Sequence, residues 1–494
     1  MGVYAHGKNV VEMPFLDFAP DLAYNAPVSG KGITLIDMDN AQPTTKGYQA
    51  LNSPQALAGP ALETVLGSTL AYFSNGAIQV FTGGPTHLYR WDGPHYTPVS
   101  GALVANDRWR FTQFGDDLIA INPGAPVGTN PAPVIHPQVY NHPGTSGGFV
   151  PLSSVPSAVG APPDNPTCLC AVNGQVLMFK GNTWYCSGLG TDIIWTPDIQ
   201  TQAGTGIFYD YPGTVVACAP IFRNCVVFKQ TCTYLMNYVG GYPVWSNQLI
   251  SDETGTWCQE SVVVLPDSVA FLGSDDFYTC SGYTPQRIPN NFKEWFWDVA
   301  DPTKFNLMQS RYDVTHGIAY WYFVTKSPPF PDVCDRWVAW NPRTGRWATG
   351  YLAQGAFSVP YPNQQPGWLS GLFFNQAQVL NGWSASPSTM RLSTGYFGSS
   401  NGFSQVMRVR PIYYVAPDSA TVLPYHVTNL GDPDVNGPMT FLNQKDGWYY
   451  LRQTDRWHRF QIQTDGPDDI PGAGAQTGAE ISALALDIRD SGWR

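Results

Sequence analysis

The sequence predicts an all-β protein: a β-propeller body with an additional C-terminal β region and an extended N-terminal arm. Three observations carry that expectation. Aromatic residues make up 14% of the 494 residues and charged residues only 13%, while 49 glycines and 43 prolines punctuate the chain. Such a mixture buries apolar surface between closely spaced turns, so it reads as many short strands rather than as disorder or helices. Second, residues 214–239 form a meander: 214–219, 225–228 and 232–238 are β-branched, aromatic or small, with Arg223 and Asn224 at a turn. Third, hairpin units of this kind start near 69, 109, 168, 214, 261 and 308, at intervals of roughly 40 to 60 residues that approach the blade period of a propeller. The uneven intervals leave a sandwich pair or several stacked sheets open.

Taken in order, residues 1–60 have many breakers and little periodicity beyond a strand at 33–38 and a turn at 43–47. They predict an extended arm that packs on the body of its own chain or on a neighbour. The body is expected over 61–385. Its hairpin 69–81 turns at Ser74-Asn75-Gly76, since Asn-Gly supplies the positive φ angles a tight hairpin needs. Strand pairs follow at 109–121, 168–179, 261–280 and 308–324, then 337–347 around the Asn341–Gly345 turn residues. Proline- and glycine-rich stretches interrupt at 122–166 and 327–331, and 355–400 is similarly diluted. The first predicts a long insertion loop, a length that is often functional. One helix is expected, at 291–300. The C-terminal β region, 386–494, carries strands at 406–414, 448–451, 456–463 and 480–488, and makes either a separate β domain or a closing blade. In the last strand, Ile481, Ala483, Ala485 and Asp487 alternate with Ser482, Leu484, Leu486 and Ile488, so both faces are mostly apolar, as in a strand covered on both sides.

A net charge of −11 argues against a grip on nucleic acid by phosphate neutralisation. It suits a wall past which DNA slides. No apolar run reaches the roughly 20 residues of a spanning helix, and residues 1–21 lack the pattern of a signal peptide, so a cytosolic origin is expected. Met1-Gly2 begins like a myristoylation signal but has His6 where Ser or Thr is needed. The nine cysteines predict reduced core thiols; neither Cys168/Cys170 nor the evenly spaced Cys218, Cys225 and Cys232 has the CxxC spacing or histidine of a zinc site.

No motif carries chemistry, so no catalytic, cofactor-binding or metal-binding residue is assigned and the chain is read as a non-enzyme. Gly144-Thr145-Ser146-Gly147-Gly148 matches G-x-S-x-G, but follows Pro143 in a glycine loop with no helix after it. Residues 251–257, Ser-Asp-Glu-Thr-Gly-Thr-Trp, approach the Asp-box of sialidase-like propellers, with Glu253 where Asp belongs. Asp37-Met38-Asp39-Asn40 lacks the glycine and distal acid of a calcium loop, and Gly30-Lys31-Gly32 lacks the Ser/Thr of a P-loop. His136 and His142 read as loop histidines. The pairs Asp116-Asp117, Asp275-Asp276 and Asp468-Asp469 read as turn residues chosen for backbone hydrogen bonding.

Residues 205–350 run in a distinctive order: the Gly213-Thr214 meander through Phe222-Arg223-Asn224 and Thr233-Tyr234-Leu235, the 261–280 hairpin, the aromatic helix, Tyr312-Asp313 with His316-Gly317, and Trp337 to Trp340 with Trp347. This order resembles the tail nozzle, or tail stabilisation, proteins of short-tailed bacteriophages. Arg456-Trp457-His458-Arg459-Phe460 and 480–488 look like that family's closing strand pair, and 37–49 is a weaker echo. The resemblance covers about half the chain. It implies a structural virion protein of β-propeller fold, with no cofactor. Six copies would form a ring below the portal and adaptor proteins, assembled in the host cytoplasm. The ring would enclose the channel through which viral DNA leaves without tight binding, and tail fibre, spike or tip proteins would attach beneath. The alternative is a glycan-binding or glycan-cleaving propeller acting as a receptor-binding tail protein, which needs two carboxylates in one pocket. A secreted disulfide-linked β protein is a third class.

Overall fold

The computed structural model describes residues 10–22, 32–93, 95–124, 134–144, 147–241, 243–358, 372–417, 419–441, 446–464 and 479–492. Thr145 and Ser146, Gly30 and Lys31, Asp468 and Asp469, Met1, Gly2 and His6 lie outside them.

Five four-stranded sheets follow one another, each a meander in which neighbouring strands pair antiparallel. Blade 1 is Gly67–Tyr72, Ile78–Gly83, Leu88–Trp91 and Tyr96–Pro98. Blade 2 is Arg110–Phe114, Asp117–Ile121, Gln138–Tyr140 and Val150–Pro151. Blade 3 is Cys168–Val172, Gln175–Lys180, Thr183–Cys186 and Gly204–Ile207; blade 4 is Ala217–Ile221, Asn224–Phe228, Thr233–Tyr238 and Trp245–Ser251. Blade 5 is Val263–Val264, Val269–Leu272, Phe277–Cys280 and Gln286–Arg287. Blade 6, Gln309–Asp313, Ile318–Phe323, Cys334–Trp340 and Trp347–Ser358, continues from its last strand into a seventh unit with Phe373–Phe374, Val379–Pro387 and Asn52–Pro60. The seventh unit packs Leu372, Phe374 and Leu380 on Leu70, Val80 and Tyr96 of blade 1.

The first strands of the six blades surround one central cavity, lined in turn by Ser68, Arg110, Cys170, Pro220, Val263 and Arg311. This is the geometry of a propeller. The expected hairpin units at 69, 109, 168, 214, 261 and 308 are blades 1 to 6. Apolar layers fill the gaps between successive blades, because each sheet is apolar on both faces and must cover both. Phe81 of blade 1 meets Tyr140 of blade 2 at 4.8 Å, and Phe228 of blade 4 meets Phe271 of blade 5 at 4.7 Å between ring centroids. Between blades 2 and 3 the layer is mainly aliphatic: Ile119, Ile121 and Val139 on Leu169, Val176 and Met178. All nine cysteines are free and buried in these layers and the neighbouring core.

Blade 6 is buried along the whole of its two middle strands. On one side Trp321 meets Phe277 of blade 5 at 5.0 Å. On the other, Tyr320 donates to Gln42 at 3.1 Å and Asn341 to the Pro43 carbonyl at 3.3 Å. Burying each large aromatic ring here contributes roughly 1.5–3 kcal/mol, so blade 6 is anchored from both faces. The one α-helix among the described residues, Lys293–Val299, lies where the sequence places one and buries Phe296 against Phe277 and Phe323.

Residues 10–50 and the C-terminal region build one 13-stranded sheet. Val10–Phe18 runs antiparallel to Glu480–Gly492 and parallel to Ile33–Asp39. Glu480–Gly492 also pairs along its length with Phe403–Val415, so it is central and apolar on both faces. The sheet folds on itself: Val406, Val409, Tyr449 and Leu486 share a core with Leu392, Val422, Phe460 and Ile462.

Two expected details shift. The 122–166 stretch holds the third and fourth strands of blade 2, which are three and two residues long and bracketed by Pro137 and Pro151, too short to give a period. The blade 4 turn sits at Phe222 and Arg223, with Asn224 already in the second strand.

Candidate functional site

The central cavity encloses about 650 Å³. Its charged groups each have a protein partner. Arg110, on the first strand of blade 2, donates to Glu260 at 2.6 Å and to the Thr167 carbonyl. Glu260 precedes blade 5, so this ion pair spans the cavity as a spoke. Burial pushes the Glu260 carboxyl up, but the Arg110 charge and hydrogen bonds outweigh it and hold the group below its ordinary value. Arg108 donates to the carbonyls of Leu307 and Met308, at 2.7 and 3.2 Å. Arg311 donates to the Tyr322 hydroxyl at 2.7 Å and lies 4.7 Å from the Tyr320 ring centroid. Among the described residues that line the cavity, Glu260 is the one carboxylate, and Arg110 pairs with it.

A second cluster lies at the edge of the blade 2–blade 3 layer. In an up-and-down meander, the turns after the first and third strands emerge at the same end, so all blades present them on one face. Asp117 follows the first turn of blade 2, His142 lies in its third turn, and Asp192 lies in the third turn of blade 3. His142 Nδ1 is 2.6 Å from Asp117 Oδ2 and 3.7 Å from Asp192 Oδ1. The left-handed backbone of Asn141, at φ 67°, turns His142 back over the blade, and its side chain donates to the Asp116 carbonyl at 3.3 Å. Trp195 holds the Asp192 carbonyl at 2.6 Å. Asp192 is 2% exposed and its Oδ2 is buried without a partner. Burial and the neighbouring Asp117 charge push the Asp192 carboxyl up to about 6. Burial also raises Asp117, partly offset by His142.

In the sequence Asp117 reads as a turn acid and His142 as a loop histidine, and Asp192 belongs to no motif. Their meeting depends on the short third strand of blade 2 pairing at Leu118–Tyr140, which no local pattern announces. The other singled-out residues serve turns and links. Asp116 accepts from the Ser74 amide at 2.7 Å, and Asp276 from the Phe277 amide at 2.8 Å. His136 pairs with Asp164 at 2.6 Å on the surface. Asp39 accepts from the Tyr351 amide at 3.0 Å, and Asp37 lies 3.5 Å from Arg391. Residues 251–257 link blade 4 to blade 5, with the Trp257 indole donating to the Gly273 carbonyl at 2.8 Å. In the C-terminal sheet a buried chain joins Ser404, His458 and Gln453; burial lowers the His458 imidazole to about 4, and Ser404 is shut off from solvent.

The same loop face carries large apolar side chains on adjoining blades: Ile199 of blade 3, Phe222 and Val239 of blade 4, and Tyr283 of blade 5 are 59–78% exposed. Neighbouring loops touch, since Gln202 donates to the Gly240 carbonyl at 3.4 Å and accepts from the Tyr238 hydroxyl. Phe222 also holds φ at 51°, a left-handed conformation that costs a non-glycine residue roughly 1–2 kcal/mol.

Fold and site together define a β-propeller with an attached β-sheet domain. No protein-family profile and no curated sequence matches the chain. Among solved structures it is similar to the AfRom2 CNH domain, at TM-score 0.38 and 8% identity over 67% of this chain and 99% of that one. It is similar to PorZ, an essential bacterial surface component of the type-IX secretion system of Porphyromonas gingivalis, at TM-score 0.37 and 9% identity over 81% of this chain and 53% of that one. It is also similar to the extracellular domain of BT4673 from B. thetaiotaomicron, at TM-score 0.40 and 9% identity over 82% and 48%. The chain thus spans about half the length of the latter two. The propeller assignment rests on strand topology rather than on these similarities.

Proposed function

We propose that this chain is a structural, non-enzymatic tail protein, a nozzle subunit of a short-tailed bacteriophage that works by assembling. In that reading six copies ring the genome exit channel below portal and adaptor, and distal tail proteins attach beneath. The observation that carries it is the apolar loop face, and Phe222 above all. A phenylalanine held in a strained turn with its ring in solvent is a poor choice for monomer stability, and exposed apolar patches mark interaction surfaces. The net charge of −11 further supports a channel wall that does not hold DNA. A cavity whose one carboxylate is already paired weighs against the glycan-cleaving alternative.

The test separates folding from assembly. Phe222→Gly relieves roughly 1–2 kcal/mol of left-handed strain against roughly 0.4–1 kcal/mol of added unfolded-chain entropy, so the isolated chain should be no less stable than the wild type. Particles assembled with this variant, combined with Tyr283→Ser, are expected to lack the protein or to lose infectivity. Normal incorporation and normal infectivity would overturn the proposal.

A further inference from the structure

We propose that Asp117, His142 and Asp192 form a divalent metal-ion site that staples blade 2 to blade 3, with Zn²⁺ or Mn²⁺ as the cation class. One nitrogen and two carboxylate oxygens, one from each residue, lie within 4.8 Å of one another. Imidazole with carboxylates is the donor set of the borderline first-row cations, and the histidine disfavours Ca²⁺ and Mg²⁺.

Three features distinguish this cluster from a turn in which acids cap amides. Asp192 is almost fully buried, yet its Oδ2 has no hydrogen-bond partner, a costly state for a carboxylate. Among the described residues, neither Asp117 nor Asp192 forms an ion pair with lysine or arginine; His142 is the one cation-forming group paired with both. Finally, the group comes from two blades, so a bound ion would bridge them. Bonds of roughly 2.0–2.2 Å bring ligand atoms to about 3–4 Å apart around an ion. The 3.7 Å from His142 to Asp192 already fits that spread, and the 2.6 Å hydrogen bond to Asp117 opens when Nδ1 gives up its proton to bind metal. The side chains of His142 and Asp117 keep 13% and 12% exposure, which leaves water access to the remaining positions.

The location gives the staple a purpose. Blade 2 ends in strands of three and two residues, with little ladder to hold its outer edge. A metal there fixes the third turn of blade 2 to that of blade 3, as structural ions do in domains with weak cores. The inference is independent of the nozzle reading.

The test uses the full chain stripped with EDTA and titrated with Mn²⁺, followed by electron paramagnetic resonance and calorimetry. Mn²⁺ is chosen because the nine thiols compete for Zn²⁺. One Mn²⁺ per chain is expected, with a rise in melting temperature of several degrees. In Asp192→Asn and His142→Gln, with circular dichroism unchanged, affinity is expected to fall at least tenfold and the melting shift to vanish. Zn²⁺ should displace the bound Mn²⁺. Absence of saturable binding at millimolar Mn²⁺, or equal binding by wild type and both folded variants, would overturn the site.

Discussion

Glu260→Gln probes the central spoke. In the native chain Glu260 accepts from Arg110 at 2.6 Å across the cavity, with side-chain exposures of 18% and 13%. At that distance the gross attraction is about 6 kcal/mol for an effective dielectric of about 20. Desolvation cancels much of this. Removing one partner, however, leaves a guanidinium buried without its counter-charge, and such losses run to about 3–5 kcal/mol. At about 2 °C or more per kcal/mol, the melting temperature should fall by roughly 6 °C or more. Replacing both partners, as Arg110→Met with Glu260→Leu, removes the uncompensated charge and should restore most of the loss. The pH dependence has a definite sign. Because Glu260 has a depressed pKa, its contribution is present above the ordinary value of 4.5 and is lost as pH falls through the folded value. The gap between wild type and Glu260→Gln should therefore narrow in acid. Differential scanning calorimetry at pH 7 and at stepwise lower pH reads all of this. A single variant that melts with the wild type at pH 7 would refute the spoke.

Other outcomes follow from the same geometry. Gly255→Ala places a Cβ against the Lys229 carbonyl oxygen and the Gln230 backbone, which side-chain motion cannot relieve; a loss of about 1–3 kcal/mol is expected by denaturant titration. In EDTA, Asp192→Asn should stabilise the fold above pH 6. The raised pKa means the wild-type fold is penalised once Asp192 ionises, so the gain should shrink as pH falls toward the unfolded value of 3.8 and be absent below it. All nine cysteines should resist a thiol reagent in the native state and react in denaturant, a result incompatible with disulfides.

The propeller was legible because its inner hairpins announce themselves locally. Asn173-Gly174 turns blade 3 with φ of 50° and 73°, the left-handed pair that Asn-Gly predicts. The outer strands were less legible. Trp245–Ser251 of blade 4 is mostly polar, with exposed residues running consecutively after Trp245, so it lacks the alternation of a half-buried strand. The outer strands of blade 2 vanish among prolines. Blade 6 reads as strong because both of its faces are covered, one by residues almost 300 positions away, such as Gln42 against Tyr320. That separation also hid how residues 10–50 enter the C-terminal sheet: the pairing of Val11 with Leu486 is a long-range choice with no local signature. The Asp117–His142–Asp192 cluster follows the same logic, since each residue sits in a separate turn and only blade packing brings them together.

The central claim, assembly rather than chemistry, is tested most directly by mass photometry of the purified chain, with negative-stain imaging of the species found and a host-glycan array alongside. The account predicts rings of about 325 kDa, six times the 54.2 kDa chain, with a central channel and no glycan signal. A species that stays at 54.2 kDa and binds or cleaves host glycans would contradict it.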